Sequence, residues 1–479
     1  MKASLCKVFL AIGVFMVVAG GCREDSVMPQ LERPEQEDSD EDLLKDSVYY
    51  YTYQFYLWQH DLPDWFADIR GNTRRFNSAD AVLESLKTYA RDPKGDAIDR
   101  YSFLDRWGTV NAEIQQGLAG SFGFDVRFQN DTDLYIKKVD QGSPADQAGV
   151  KRGWQVLSIN GRKDLSLASL EMDNFGFLFD ALDERSIDVE FRKPDGNEVA
   201  LRLGRGSYQL QPILASNVCT VGTKKIGYFA FDVFISTLSD FGRPTYVKTQ
   251  LDQLMSRFEK EGVAELIVDL RYNGGGAVVT AEYLSNLLAP ATVGNGLMYT
   301  NAVNPGLEDF LRTRHVPIDF SPVHFQKTNH LDLDRIYFLV TEGTASASEL
   351  LINNLKPHVP VLLIGEERTY GKPVGFFNWN IQGVDLYAVS FQTFNSAGDG
   401  DYFDGMAVDK LVYDDLTRDF GDPEEAMVAA ALYYARYGNF PMGETGLQAR
   451  VGKEQGRQSE GVLLNRRLDR RGMKGMYRF

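Results

Sequence analysis

The spacing of apolar residues changes along the chain and predicts different structures in succession. Residues 46–59 and 78–90 show the helical period, and the apolar residues of the second segment share one face: Val82, Leu83, Leu86 and Tyr89. Residues 122–128 alternate between apolar and polar positions, which predicts a strand. From 208 to 440, continuous apolar strands alternate with amphipathic helices, a pattern typical of a largely parallel sheet covered on both faces. The chain is therefore predicted to be a multidomain α/β protein.

The first 22 residues are of a different kind. Lys2 and Lys7 lie at the start, ahead of a short apolar run that ends in small residues before Cys22. This is the layout of a secretory signal, and the run is too short for a membrane-spanning helix. The stretch "VVAGGC" also resembles a bacterial lipobox, which implies lipidation of Cys22. Plain cleavage after a small residue is the alternative.

Both ends of the mature chain are strongly polar. Residues 23–45 are rich in acids and poor in core-forming residues, which predicts a disordered tether. Residues 441–479 are polar and basic, and we interpret them as a flexible tail. The segment "CRED" at Cys22 resembles the signal that sends some lipoproteins to the outer face of an outer membrane, although a merely solvated linker fits it equally well.

Composition narrows the function. The net charge of −16 argues against a nucleic-acid partner, which would normally meet a basic face. The chain contains no zinc-type cysteine pairs and no HExxH stretch, so we expect neither a metal nor a cofactor. After export only Cys22 and Cys219 remain, and lipidation would use the first, so no internal disulfide is expected.

A glycine-containing segment opens the β-rich region. The glycines at 117, 120 and 123 precede a strand instead of opening a helix, which argues against a dinucleotide-binding turn. The following stretch "GSPADQAGVKRGWQVLSING" closely resembles a PDZ domain of the bacterial protease-associated type, with Trp154 where that family usually has aspartate. The resemblance implies that a peptide C-terminus adds as a strand and that loop amides hold its carboxylate. The implied loop residues are Gly120, Ser121, Phe122, Gly123 and Phe124.

Two serines stand two positions apart in "TEGTASASELL". Ser346 and Glu349 have the spacing of a capping box at a helix N-terminus, and this structural explanation suffices if the motif is taken alone. The same position would place a hydroxyl beside free N–H groups that stabilise an oxyanion. A nucleophilic serine needs a base, and none of the five histidines lies in a recognisable catalytic setting.

A lysine can replace histidine as the base. Lys372 lies in "GEERTYGKPVG", and burial would have to lower its pKa towards neutrality before it could accept a proton. In "VDLRYNGGG", glycines follow a buried strand directly, where bare backbone N–H groups can reach a developing oxyanion.

The order of these motifs resembles the C-terminal processing proteases, also called tail-specific serine–lysine peptidases. The resemblance covers about residues 100–440 and implies a crotonase-like fold, shared with Clp-type peptidases, for the third domain. It implies that Ser346 is the nucleophile, that Ser348 is not, and that Lys372 is the base. By the same resemblance, the other site residues are the backbones of Gly275 and Ala347 as the oxyanion hole, with Gly274 also possible, and Glu349 in support.

The chain departs from that family at two places. The segment between Ser346 and Lys372 is one residue longer than usual, with Arg368 the apparent insertion. Phe376 stands where many members have a glutamine that orients the lysine, and Asn378 or Glu349 would have to substitute for it. A degenerate, PDZ-containing scaffold lipoprotein is therefore the alternative function. An acyl-CoA enzyme is a third, although a PDZ domain and an export signal fit it poorly.

The sequence thus predicts a serine endopeptidase with domains at 46–115 (helical), 116–207 (PDZ-like) and 208–440 (protease). Its expected partners are protein or peptide substrates with a free C-terminus and a membrane, reached through the lipid anchor. The expected location is a bacterial cell envelope, on the periplasmic side of the outer membrane or at the cell surface.

Overall fold

The computed structural model describes residues 39–314 and 319–441, together with the backbone of residues 475–478. Four predictions lie wholly or largely outside the described residues: the signal peptide 1–22, lipidation of Cys22, most of the tether and most of the tail. Within the described part of the chain, no helix is both long enough and apolar enough to cross a bilayer.

The N-terminal region is helical. Its elements are α1 (Asp40–Phe55), α2 (Ile69–Thr73), α3 (Ala79–Lys87) and the short strand β1 (Phe103–Asp105). The prediction that the tether continues to residue 45 is wrong for its last residues, because α1 begins at Asp40. Three acids in the first turn favour this start through the helix dipole, and Leu44 and Lys45 are already buried.

The second region is a small β domain. Its elements are β2 (Leu118–Ser121), β3 (Phe124–Phe128), β4 (Leu134–Val139), α4 (Pro144–Gln147), β5 (Gln155–Ile159), α5 (Leu167–Glu171), α6 (Gly176–Asp183), β6 (Ser186–Arg192), β7 (Glu198–Gly204) and β8 (Gly206–Gln209). Strands β3 to β7 form an antiparallel sheet in chain order, with a core of its own, and β2 pairs with β8. Strand β3 lies at the edge of this sheet, where another strand could add.

The third region contains the predicted parallel sheet. Its elements up to residue 340 are β9 (Ile213–Val221), β10 (Lys224–Phe231), α7 (Tyr246–Glu261), β11 (Val263–Asp269), β12 (Gly275–Ala277), α8 (Val278–Leu288), β13 (Leu297–Val303), α9 (Pro305–Arg314), β14 (Val323–His324) and β15 (Arg335–Val340). The remaining elements are α10 (Ala347–Leu355), β16 (Val361–Gly365), β17 (Val374–Ile381), β18 (Val384–Asn395), β19 (Lys410–Leu411), α11 (Ala426–Tyr437) and β20 (Gly475–Arg478).

The parallel sheet has the strand order β19-β16-β15-β11-β10-β9, and only β9 runs antiparallel to its neighbour. Helices α7, α8 and α10 share the main core on one face, whereas α11 packs with Tyr228, Ile267 and Tyr337 on the other. Apolar side chains on both faces explain why these strands are almost continuously hydrophobic. The predicted α/β class with both sheet faces covered is confirmed.

A second, mainly antiparallel sheet was not predicted. Its order is β12-β20-β17-β18-β13-β14, with β1 paired to β18, so the N-terminal region is joined to the third one. Strand β20 runs parallel to both of its neighbours. The prediction of a flexible tail is therefore wrong for residues 475–478, whose backbone is paired on both sides.

Candidate active site

Ser346 lies in the turn between β15 and α10, as the N-cap residue of that helix. Its backbone has a φ of 62°, an unfavourable value for a residue with a side chain, and such strain is commonly retained at functional positions. The residue is fully buried and forms the predicted capping box with Glu349, but its Oγ makes no hydrogen bond of normal geometry among the described residues. A buried hydroxyl without a partner is costly, so its position calls for an explanation.

Ser348 differs from Ser346 in this respect. Its Oγ donates to the backbone oxygen of Asn273 at 3.0 Å, and it is equally buried. The amide of Ala345 donates to the same oxygen at 3.0 Å. Ser348 therefore joins the serine turn to the glycine segment, while the hydroxyl of Ser346 is left available.

Lys372 lies just before β17 and is only 5% exposed. Burial lowers the pKa of its amine to about 7, against the opposing charges of Asp99 and Glu349. Its Nζ lies 3.9 Å from the ring centroid of Phe376 and 5.4 Å from that of Tyr101. A substantial fraction of this lysine is therefore neutral near pH 7, which is the state a base requires.

Glu349 connects the serine and the lysine. Its Oε2 accepts from the amide of Ser346 at 2.7 Å and from the amide of Lys372 at 2.9 Å. Its Oε1 accepts from the Thr369 hydroxyl at 2.5 Å and from the Gly371 amide at 2.8 Å. Burial raises the pKa of this carboxyl, and the four donors oppose that shift. One carboxylate thus holds the backbones of both candidate residues, but no described hydrogen bond joins it to the lysine amine.

The glycine segment lies against the serine turn. The Gly275 amide donates to Asn273 Oδ1 at 2.9 Å, so that donor is already engaged. Gly274 lines a cavity beside the site, and Ala347 is the first residue of α10, where an amide has no acceptor within the helix. Of the two glycines considered from the sequence, this geometry favours Gly274 as an oxyanion donor.

The loop of the β domain lines the same cavity, which has a volume of about 550 Å³. Four of the five predicted loop residues lie on its wall: Gly120, Ser121, Phe122 and Phe124. The amide of the fifth, Gly123, donates to Ser121 Oγ at 3.0 Å. Since Gly274 and Gly343 line the cavity too, the space continues from the loop to the glycine segment and the serine turn.

Two family models match the chain. Peptidase family S41 matches residues 225–404, which include Ser346 and Lys372, and the PDZ domain matches residues 112–173. Residues 225–404 are therefore similar to peptidase family S41, and residues 112–173 to PDZ domains.

Curated relatives match about half of the chain or somewhat more, at moderate identity. The chain is 25% identical over 270 residues to "C-terminal processing peptidase, chloroplastic" of Tetradesmus obliquus, which covers 54% of this chain and 53% of that protein. It is 27% identical over 300 residues to "Probable CtpA-like serine protease" of Staphylococcus aureus strain N315, covering 61% and 51% of the two chains. The chain thus spans about half the length of these relatives.

The fold also has a counterpart among solved structures. A crystal structure of an S41 protease from Bacteroides fragilis superimposes with a TM-score of 0.58 at 24% sequence identity. The match covers 82% of this chain and 96% of that one. It shows that the two chains share their fold.

The contacts that hold the loop before Lys372 were not predicted from the sequence. Arg100 donates through Nη2 to the backbone oxygens of Tyr370 and Gly371, at 2.9 and 3.1 Å, and the Tyr101 hydroxyl donates to Gly371 at 2.6 Å. Gly371 has a φ of 88°, and a Cβ added there would lie 2.2 Å from a backbone oxygen. The N-terminal region therefore holds the loop immediately before Lys372.

The PDZ domain is fixed to the S41 domain by buried charges. Arg127 donates to Glu366 at 2.5 Å, and Arg152 donates to Asp414 at 2.9 Å and to the Tyr272 hydroxyl at 2.7 Å. Tyr272 belongs to the glycine segment. The orientation of the PDZ domain is thus linked to the segment that precedes the proposed oxyanion donor.

Phe376 stands where the resemblance implied an orienting glutamine, and its ring faces the lysine amine at 3.9 Å. We expect Phe376→Gln to raise the apparent pKa of Lys372 by about one unit, because an amide oxygen accepts from the ammonium form and stabilises it. Phe376→Leu is the matched control, since it removes the ring without adding an acceptor. The pH dependence of labelling of Ser346 by a fluorophosphonate probe measures the apparent pKa in both variants. An unchanged midpoint in a folded Phe376→Gln protein would show that the side chain at 376 does not set the lysine pKa.

Proposed function

We propose that the protein is an exported serine endopeptidase that uses a Ser346–Lys372 dyad and selects substrates by their C-terminal tails. The observation that carries the proposal is the pair of buried groups held by Glu349: a serine hydroxyl without a partner and a lysine with a pKa of about 7. The family match supports peptidase chemistry, and the PDZ match supports peptide binding.

In the proposed reaction, the neutral amine of Lys372 removes the proton from Ser346 Oγ as the oxygen attacks the scissile carbonyl carbon. The oxyanion that forms is stabilised by the N–H groups of Ala347 and Gly274. Lys372 then gives its proton to the leaving amine as the C–N bond breaks, which leaves an acyl-enzyme. Water, deprotonated by the same lysine, hydrolyses that ester and restores both groups.

A fluorophosphonate probe tests this function directly. Labelling of the wild-type chain at Ser346, seen by mass spectrometry, together with cleavage of an unstructured reporter protein, is the expected result. Ser346→Ala should abolish both, whereas folded Ser348→Ala should retain labelling because its hydroxyl is already engaged with Asn273. A folded wild-type chain that binds peptides but neither labels nor cleaves would instead support the scaffold alternative.

The PDZ domain leads to a prediction about substrates. A peptide that adds to the edge of β3 would place its terminal carboxylate at the loop Gly120–Phe124, next to the apolar residues Phe179 and Leu182. Amidating the terminus, or ending it in two aspartates, should lower turnover several-fold, since a carboxylate without a partner is costly to bury. The measurement is kcat/KM for matched free and blocked peptides. Equal values would show that the PDZ domain does not select the tail.

We also propose a lipid anchor at Cys22 and a location in a bacterial cell envelope. The short apolar run and the sequence "AGGC" support it. Cys22→Ser should move the protein from membrane to soluble fractions, and unchanged partitioning would contradict the anchor.

A further inference from the structure

We propose that the gap between β12 and β17 is a binding site for an extended peptide, and that the segment Gly475–Arg478 of this chain occupies it as a competing ligand. The inference rests on the proposed function, because it identifies the strand position that a substrate would take. It arises from the backbone pairing of β20 on both of its edges.

The register of β20 defines the site. Gly475 pairs with Gly275, and Tyr477 pairs with Ala277 on one side and with Phe376 on the other, all in parallel orientation. Neighbouring strands are spaced by about 4.8 Å, so β12 and β17 border a gap that is one strand wide.

Each of the two strands that border the gap has only one edge available for pairing with a strand in the gap. The other edge of β12 is bridged to Phe234, and the other edge of β17 is paired along its length with β18. Without a strand between them, the inner edges would present unpaired N–H and C=O groups, which makes the gap receptive to any extended backbone. Backbone pairing does not depend on the side chains of the incoming segment, which suits a site that accepts varied peptides.

The gap also lies next to the proposed catalytic groups. One wall begins at Gly275, directly after the proposed oxyanion donor Gly274, and the other begins at Val374, shortly after Lys372. Phe376, which pairs with Tyr477, places its ring 3.9 Å from the lysine Nζ. A peptide in the gap therefore runs between the glycine segment and the lysine, where a scissile bond would have to lie.

Occupation by the chain itself has a measurable consequence. A substrate must displace Gly475–Arg478, so the apparent affinity for a peptide falls by the fraction of molecules in which the gap is open. A tethered segment also has a high effective concentration, which favours its occupancy over a free peptide. Removal of the segment should therefore strengthen peptide binding at this site.

The test is a binding experiment in the Ser346→Ala background, which prevents cleavage. The probe is a fluorescent, C-terminally amidated peptide KGMYRF, since the amide removes the carboxylate that the PDZ loop would bind. We expect deletion of residues 475–479, and Met476→Pro in the full chain, to strengthen binding by about tenfold or more. Met476→Ala is the matched control and should bind like the full chain, because it keeps the backbone N–H that proline removes.

The outcomes separate this inference from the proposed function. Tighter binding to the deletion and proline variants supports the peptide site even if the wild-type chain proves to have no peptidase activity. Equal binding to the full and shortened chains overturns the inference even if the dyad is active. Loss of the folded state on deletion, seen as a collapsed melting transition, would also overturn it, because the segment would then be a structural strand of the domain.

Discussion

Lys372→Met is expected to lower turnover of an unstructured reporter by about three orders of magnitude, because it removes the group that accepts the serine proton. Methionine keeps the bulk and the apolar packing of the lysine stem, so the fold should persist. Lys372→Arg is expected to be equally inactive, since a guanidinium stays protonated over the working pH range. Turnover close to wild type in a folded Lys372→Met protein would exclude the dyad. A histidine brought near Ser346 by folding would then be the alternative base.

Lys372→Met should also change the stability of the protein. Measuring that change by unfolding shows at the same time that the variant is folded. Burial lowers the lysine pKa from 10.5 to about 7, so the charged form is destabilised in the folded state. The cost is complete below pH 7 and shrinks as pH rises towards 10.5, because the unfolded chain then binds the proton and the folded chain does not. Near pH 7, Lys372→Met should therefore have a free energy of unfolding a few kcal/mol above that of the wild type, at about 1.4 kcal/mol per pKa unit. Denaturant unfolding measures the difference. The difference in unfolding free energy between the variant and the wild type should become smaller at alkaline pH.

Arg271→Met is expected to lower the free energy of unfolding by about 3–5 kcal/mol, the usual cost of leaving buried charges without their partner. The guanidinium is 1% exposed and contacts the carboxylates of Asp269, Asp414 and Glu425 at 2.7 to 3.1 Å. Methionine fills part of the volume but removes the ion-pair partner of Asp269 and Glu425, whereas Asp414 keeps Arg152. Denaturant unfolding followed by circular dichroism measures the change.

Arg312→Met is the matched control for that substitution. Arg312 pairs with Asp309 at 2.6 Å, but its side chain is 78% exposed, so the change in unfolding free energy should stay within about 0.5 kcal/mol. A similar loss in both variants would show that the buried network around Arg271 does not contribute more than an exposed ion pair.

Periodicity was sufficient to predict the α/β class and the helices that cover the parallel sheet. Local pattern could also place Ser346 at a helix N-terminus, since its cap depends on residues a few positions away. The difference between Ser346 and Ser348 could not be derived locally, because it depends on a contact with Asn273, which lies far away in sequence.

Other features depend on pairings over still longer separations. Arg100 and Tyr101 contact the lysine loop from the N-terminal region, and no periodicity in either segment indicates this. The pairing of β20 is equally hidden, because Gly475–Arg478 has no strand pattern of its own and the edges it joins come from two distant segments. The roles of the candidate site residues and the lipid anchor remain predictions.

The central claim is that Lys372 is the base that activates Ser346, and the pH dependence of fluorophosphonate labelling at Ser346 tests it most directly. The wild-type labelling rate should rise through a single ionisation with a midpoint near 7, the pKa that burial gives to Lys372, because only the neutral amine can accept the proton. Folded Lys372→Met should label slowly and without that rise. The same midpoint and comparable rates in wild type and Lys372→Met would contradict the dyad.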